Sequence, residues 1–176
     1  MSIDLTADCS RCAALCCMAL AFDKGADFAL DKPAGVGCVN LRGDFGCQIH
    51  DSRIDAGFSG CLKFDCLGAG QRITQEVFAG VDWRDTPAAI PDIIEAFRIL
   101  REVHRLHELL GFAADLPLAP AQRDLLHALM EELAPNGGWT ADSLNQLPLG
   151  RLSSDATSFL GSLKTLAKRG GISGKA

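Results

Sequence analysis

The residues of this chain that could do chemistry are its cysteines. All eight cysteines of the 176-residue chain lie within its first 66 residues, and the remainder contains none. They are Cys9, Cys12, Cys16, Cys17, Cys38, Cys47, Cys61 and Cys66. Thiolates are soft ligands that select zinc, copper(I) or iron-sulfur clusters over hard cations. The clustering therefore predicts that these eight side chains ligate metal.

The number of cysteines is compatible with more than one kind of metal centre. Eight sulfurs suffice for two zinc sites of four thiolates each, or for one 4Fe-4S cluster and a second site. Neighbouring side chains diverge, so one of Cys16 and Cys17 can join the first two cysteines while the other faces a second centre or the core. His50, three residues after Cys47, is a candidate ninth ligand, and a hydrogen-bond donor to a ligand is the alternative role.

The surroundings of the cysteines argue against a disulfide framework. Residues 1–8 are acidic and lack the basic and long apolar regions of a signal peptide. The apolar run 13–21 is interrupted by cysteines and is too short to cross a bilayer. These features predict a cytoplasmic protein that does not associate with membranes. In a reducing compartment, an even number of thiols indicates metal ligation more than disulfides.

Composition limits the other classes of function. An apolar content of 48% can fill a core in a chain of this length. The formal charge of -5 and the pI near 5.3 argue against a nucleic-acid surface, which is normally basic. No Ser/His/Asp group or pair of carboxylates stands out as catalytic. We therefore expect no nucleic-acid partner.

The segment 6–21 must position the first four cysteines. Its Ala, Leu and Met residues, preceded by polar capping residues, favour a helix. In a helix of about 100° per residue, Cys9, Cys12 and Cys16 would share one face. The alternative is a knuckle turn, in which Cys9 and Cys12 chelate one ion directly, and the spacing does not choose between the two.

The segment 22–46 loses the helical period and fills with Gly, Asp and Pro. This composition favours loops with short strands, and Cys38–Leu41 and Cys47–His50 are the predicted strands. Such a loop-rich half depends on something other than a large core. A zinc ion contributes on the order of 10 to 16 kcal/mol, which is comparable to the net stability of a whole domain. The first half is therefore predicted to need its metal to fold.

The second half has the pattern of amphipathic helices. The Thr86-Pro87 pair predicts the start of a first helix with apolar residues at helical spacing. A second helix is predicted after Pro120 and should stop at residues 135–138. The last long helix is predicted to carry apolar residues from 152 to 166 and to end before the glycines at 170 and 171.

Two histidines, His104 and His107, fall on the apolar face of the first of these helices. Core histidines bonded to backbone or carboxylates are the more common arrangement. The alternative is a pair directed at the thiols as ligands or proton carriers.

These elements predict a mainly α fold. Residues 1–80 would form a cysteine-cluster metal-binding module, organised by metal and containing short strands. Residues 81–176 would form an antiparallel helical hairpin or small bundle packed on that module.

The cysteine motifs resemble those of a known family. The motif Cys9-x-x-Cys12-x-x-x-Cys16-Cys17 and the segments 38–41, 47–53 and 57–66 are similar to the bacterial eight-cysteine cluster family, described as a zinc- or iron-chelating domain. The segments 26–35, 68–71 and 82–84 resemble more closely the N-terminal cysteine-rich module of actinobacterial proteins named for pentapeptide repeats. The resemblance covers about residues 9–110 and implies bound zinc or iron.

The chain departs from a pentapeptide-repeat protein in one respect. Repeats of the Ala-Asp/Asn-Leu/Phe-x-x type appear only as isolated matches at 26–28 and 114–116. We therefore expect no right-handed β-helix. The wider family also resembles the cysteine-cluster portion of flagellin lysine methylases, for which an iron-sulfur centre is implied.

The predicted function is a cytoplasmic metal-binding protein. Its clustered cysteines would hold zinc or an iron-sulfur cluster in a structural or partner-binding role, with zinc slightly favoured, and the helical half would offer a surface to a protein partner. One alternative is an iron-sulfur enzyme of redox or methyl-transfer type. Another is a metal storage or delivery protein, which would need labile, exposed thiolates.

Overall fold

The computed structural model describes residues 3–164 and has a mainly α fold, as predicted. In chain order the α-helices of this part are α1 (Leu15–Ala19), α2 (Gly60–Lys63), α3 (Ala69–Arg72), α4 (Ile90–Ala114), α5 (Pro120–Leu133), α6 (Ala141–Asn145) and α7 (Leu149–Ser162). Shorter helical turns are Cys9–Arg11, His50–Ser52 and Pro87–Ala89, which are 3-10, and Ile73–Val77, which is a π turn that continues α3. The expectation of no β-helix is confirmed for the described residues, which contain no sheet.

The helix α4 is the centre of the core. Proline occupies its first turn, where a missing N–H costs nothing. Its buried residues recur every three or four positions along the whole helix, from Ile93 to Ala113. The helices α5, α6 and α7 pack on α4, and so do α1 and α3 of the cysteine half. Buried side chains of both halves therefore form one continuous apolar cluster.

The predicted helices of the second half are confirmed within the described residues. Thr86 precedes the 3-10 turn Pro87–Ala89, which leads into α4, and α5 begins at Pro120. The Thr140 hydroxyl accepts the N–H of Ser143 and caps α6. The prediction for the end of the last helix falls on residues 165–171, outside the described part.

The single helix considered for residues 6–21 is wrong. A 3-10 turn ends at Arg11 and α1 begins only at Leu15, because Ala14 has a left-handed backbone, with φ of 53°. A left-handed residue cannot continue a right-handed helix. The cysteines before Ala14 and those after it therefore lie on two separate elements.

The two predicted short strands are also wrong. They reduce to a single bridge between Leu41 and Cys47, and the other bridge in the described residues joins Phe22 to Lys32. The first predicted strand is instead a turn, in which the N–H of Leu41 donates to the carbonyl of Cys38 at 3.0 Å. A backbone N–H that is hydrogen-bonded within its own turn is not available to bond a neighbouring strand.

The division into residues 1–80 and 81–176 stays a prediction.

No helix within residues 3–164 combines the length and the apolar character needed to cross a bilayer.

Candidate metal centre

The first cysteines lie on two short elements that meet at Ala14. The Asp8 carboxylate accepts the N–H of Ser10 and caps the 3-10 turn that carries Cys9. After the reversal at Ala14, the N–H of Leu15 donates to the Cys12 sulfur at 3.4 Å. A backbone N–H directed at sulfur favours the thiolate form, as a ligand requires.

The turn after Cys66 returns the chain to these thiols. Leu67 and Gly68 both have left-handed backbones, with φ of 50° and 75°. The Asp65 carboxylate accepts the N–H of Leu67 at 2.7 Å. On the other side, Nδ1 of His104, from α4, donates to the Leu67 carbonyl at 2.6 Å. The central helix therefore fixes the position of this turn.

Gly70, in the first turn of α3, leaves room for two sulfurs. A Cβ atom at this position would lie 2.7 Å from the Cys12 sulfur and 3.7 Å from the Cys66 sulfur. The two thiols, 54 positions apart in the chain, thus meet over a patch of bare backbone. This packing explains why a residue with low helix propensity occupies a helix.

Backbone strain is concentrated beside the cysteines. In residues 3–164, the non-glycine residues with positive φ are Ala14, Phe45 and Leu67. Each lies within two positions of a cysteine. Strain of this kind costs on the order of 1 to 3 kcal/mol per residue and persists where the surroundings enforce it, often at functional sites.

The later cysteines lie on three further segments, one of which is bonded to α1. The N–H of Cys38 donates to the carbonyl of Cys17 at 3.1 Å, and Cys47 forms the bridge with Leu41. Cys61 lies on α2, beside Phe58, whose ring packs against Phe22 and Phe28. Individual backbone contacts thus fix the segments around Cys38 and Cys47, and the short helix α2 carries Cys61.

The thiols influence one another in two sets that share Cys16. Burial raises the pKa of Cys9, and the thiols of Cys16 and Cys66 raise it further. Burial likewise raises the pKa of Cys12 to about 11, again with contributions from Cys16 and Cys66. The four members of this set are Cys9, Cys12, Cys16 and Cys66.

The second set surrounds Cys61. Burial raises the pKa of Cys61, followed by the effects of Cys16, Cys38 and Cys47. The hydrogen bond with Cys17 is the first cause of the raised pKa of Cys16, ahead of burial. The two sulfurs of this adjacent pair are 4.0 Å apart, so the two sets of thiols adjoin at Cys16 and Cys17.

All eight cysteines are free thiols. Within residues 3–164, no group of three or more Cys, His, Asp or Glu side chains has the geometry to hold a metal ion. The described thiols that influence one another therefore do not adopt a ligating arrangement.

The histidines lie in different surroundings. His50 is exposed, and its Nδ1 is 3.0 Å from the Asp51 carboxylate, so its role as a ninth ligand stays a prediction. His104 is fully buried, and burial lowers its pKa to about 4. It therefore acts as a neutral hydrogen-bond donor to the turn after Cys66, in agreement with a core histidine. His107 is buried and lines a cavity beside the exposed His127, between α4 and α5.

A cleft of about 410 Å³ opens beside Cys12. Its polar lining includes Arg11, Asp44, Thr74 and Asp82. The Thr74 hydroxyl accepts the N–H of Ala13 at 3.0 Å and so ties this wall to the cysteine turn. A small molecule in the cleft would lie next to the first set of thiols.

Sequence reasoning did not identify Gly70, Lys32 or Arg53 as parts of this region. The spacing Gly68-x-Gly70 after the last cysteine indicates a tight turn, but the contact of Gly70 with the distant Cys12 depends on the fold. The importance of Lys32 depends on its burial, at 5% exposure, which no local pattern reveals.

Comparisons with known proteins give one relative and no function. An uncharacterized Bacillus subtilis (strain 168) protein, YybG, is 40% identical to this chain over 119 residues, which is 65% of the chain. The matched part spans 43% of the length of YybG. No protein-family model matches the chain, and no solved structure matches it significantly.

Proposed function

We propose that this protein binds metal through its eight cysteines, with zinc as a structural metal. The observation that carries the proposal is the proximity of thiols from separate short elements. The sulfurs of Cys16 and Cys17 are 4.0 Å apart, and the N–H of Cys38 donates to the Cys17 carbonyl at 3.1 Å. Neighbouring thiols also raise the pKa values of Cys9, Cys12 and Cys61. Thiolates are the ligands that zinc prefers in structural sites.

Two further features suit a metal. The bare backbone at Gly70 is a cradle that a Cβ would fill, and it admits the sulfurs of Cys12 and Cys66 together. The left-handed residues Ala14, Phe45 and Leu67 need a source of stabilisation beside the cysteines. A zinc ion supplies on the order of 10 to 16 kcal/mol, which exceeds the combined cost of about 3 to 9 kcal/mol for three such residues.

The two sets suggest two four-thiolate sites. The first would be formed by Cys9, Cys12, Cys16 and Cys66. The second would be formed by Cys17, Cys38, Cys47 and Cys61, because Cys17 is bonded through its carbonyl to Cys38. In this arrangement the adjacent pair on α1 contributes one ligand to each site, and α1 joins both sites to the central helix.

An iron-sulfur enzyme of redox or methyl-transfer type is the second candidate. The cleft beside Cys12 favours it, since a substrate there would lie against the first site. A storage or delivery protein is a third candidate, favoured by the exposure of Cys9. We place the protein in the cytoplasm, where its thiols stay reduced, and we propose the helical half as a surface for a protein partner.

Metal analysis of untagged protein purified without oxygen tests the proposal. We expect about two zinc ions per chain and a colourless solution, because zinc has a filled d shell. Iron and sulfide in a brown protein would instead support the second candidate, an iron-sulfur enzyme. A folded protein that contains neither metal, and that takes up neither when supplied with it, would refute metal binding.

A further inference from the structure

Lys32 is a buried cation beside the cysteines. Its side chain is almost fully enclosed, and its ammonium donates to the carbonyls of Met18, Pro33 and Val36 at 3.2, 3.0 and 2.8 Å. All three donors of the ammonium are therefore used. The ring of Phe22 lies 5.5 Å from the same nitrogen.

These bonds satisfy the donors of Lys32 but do not balance its charge. Among residues 3–164, no carboxylate forms an ion pair with this ammonium. Two of the carbonyls that bind the ammonium belong to Met18, next to Cys17, and to Val36, two residues before Cys38. Burial lowers the pKa of Lys32, and these neighbouring thiols act against burial. An unpaired buried charge is costly, whereas a neutral donor could bond the same carbonyls without that cost.

The thiols can balance this charge only as thiolates. Metal binding removes the protons of the thiols that ligate the ion. Four thiolates around a divalent ion leave roughly two net negative charges. A buried ammonium next to the ligands would stabilise such an anionic centre.

A second cation faces the thiols from another segment. The Arg53 guanidinium acts on Cys9 and Cys61, and it opposes the rise in the pKa of each thiol. Its Nε is buried and has no hydrogen-bond partner within the described part of the chain. Asp8 is a carboxylate that acts on Cys9 in the opposite direction. Two segments thus direct positive charge at the cysteines.

We propose that Lys32 is a built-in countercharge for a net-negative thiolate centre that includes Cys17 and Cys38. The inference rests on the proposed function and further states that the metal centre carries a net negative charge. Lys32 acts here as a positioning and charge-balancing residue, not as a ligand. It selects for a metal or cluster whose complex with the thiolates remains anionic.

The test separates the effect of the Lys32 charge on zinc affinity from the effect of its hydrogen bonds. Lys32→Gln keeps a donor for the carbonyls and removes the charge, and Lys32→Arg keeps the charge. The matched control is Lys24→Gln, which removes the same charge from an exposed lysine on the same loop. Zinc affinity of each purified full-length chain is measured by competition with a chromogenic chelator at fixed pH.

We expect Lys32→Gln to bind zinc roughly tenfold more weakly or worse, since a neighbouring opposite charge is worth about one to three pKa units to an ionised group. Lys32→Arg should restore most of the affinity, and Lys24→Gln should match the unmodified protein. If the bound metal is an iron-sulfur cluster, its midpoint potential should become more negative in Lys32→Gln.

Two results would overturn the inference in distinguishable ways. Equal zinc affinity of Lys32→Gln and the unmodified protein would assign Lys32 to holding the three carbonyls, and would leave metal binding intact. Failure of the unmodified protein to bind either metal would remove the proposed function and this inference with it. If Lys32→Gln does not fold, Lys32→Met is used instead; it removes the charge and the hydrogen bonds together, and its unfolding temperature is measured with and without zinc. If Lys32 has only a structural role, the substitution should lower the unfolding temperature equally with and without zinc. If Lys32 is a countercharge, the unfolding temperature should fall more with zinc.

Discussion

Substituting Gly70 by alanine separates the metal site from ordinary helix stability. Gly70 lies in α3, where alanine normally stabilises a helix by about 0.5 to 1 kcal/mol relative to glycine. The added Cβ, however, would lie 2.7 Å from the Cys12 sulfur, well inside the usual nonbonded contact of about 3.5 to 4.0 Å. The sulfur or the helix must therefore move.

The cost of such overpacking is typically about 1 to 3 kcal/mol. After subtraction of the helix gain, we expect Gly70→Ala to lower the free energy of unfolding by roughly 0.5 to 2 kcal/mol. Zinc affinity should fall at the same time, because the displaced sulfur belongs to the first set of thiols. The assays are chemical denaturation and chelator competition on the same samples.

Gly111→Ala is the matched control. Gly111 lies inside α4, and a Cβ there would meet nothing within 4 Å. This variant should keep the zinc affinity and gain about 0.5 to 1 kcal/mol of stability. If Gly70→Ala behaved like Gly111→Ala in both assays, the cradle for Cys12 and Cys66 would not exist as described.

Three further predictions concern the thiols and His104. Cys12→Ser and Cys47→Ser should each lose metal and solubility together, as measured by metal analysis of the soluble fraction, and metal-replete soluble variants would count against both ligands. Zinc binding should release about four protons per ion, since burial raises the pKa of Cys12 to about 11; calorimetry in two buffers measures the number. Burial lowers the pKa of His104 to about 4 from an ordinary 6.5. Between pH 6.5 and about 4, His104 is therefore protonated in the unfolded chain but neutral in the folded protein. Stability should therefore fall by up to about 3 kcal/mol as pH drops through that window. The His104→Gln variant should lack this fall, the exposed His127→Gln variant should retain it, and identical pH profiles for all three proteins would contradict the assignment.

The helical half was predictable because its signals are local. Helical spacing of apolar residues, Pro120 at the start of α5 and Thr140 as the cap of α6 all act within a few residues of where they stand. These signals do not require knowledge of distant contacts. The structure follows them closely.

The cysteine half was less predictable because distant contacts decide it. The break at Ala14 has no local signal, since alanine favours helices. Its cost is offset by contacts made 60 to 70 positions later, such as the bond from the Trp83 indole to the Ala13 carbonyl at 2.8 Å. The meeting of Cys12 and Cys66 over Gly70 depends on the same long-range packing. Composition marks the cysteines as candidate ligands, and only the fold shows which of them lie close together.

The most direct test of the account is to count metal ions and reactive thiols in one sample of folded, untagged protein. The account predicts about two zinc ions per chain, with the thiols protected from a thiol reagent until a chelator removes the metal. A folded, metal-free chain in which all eight cysteines react at once would contradict it.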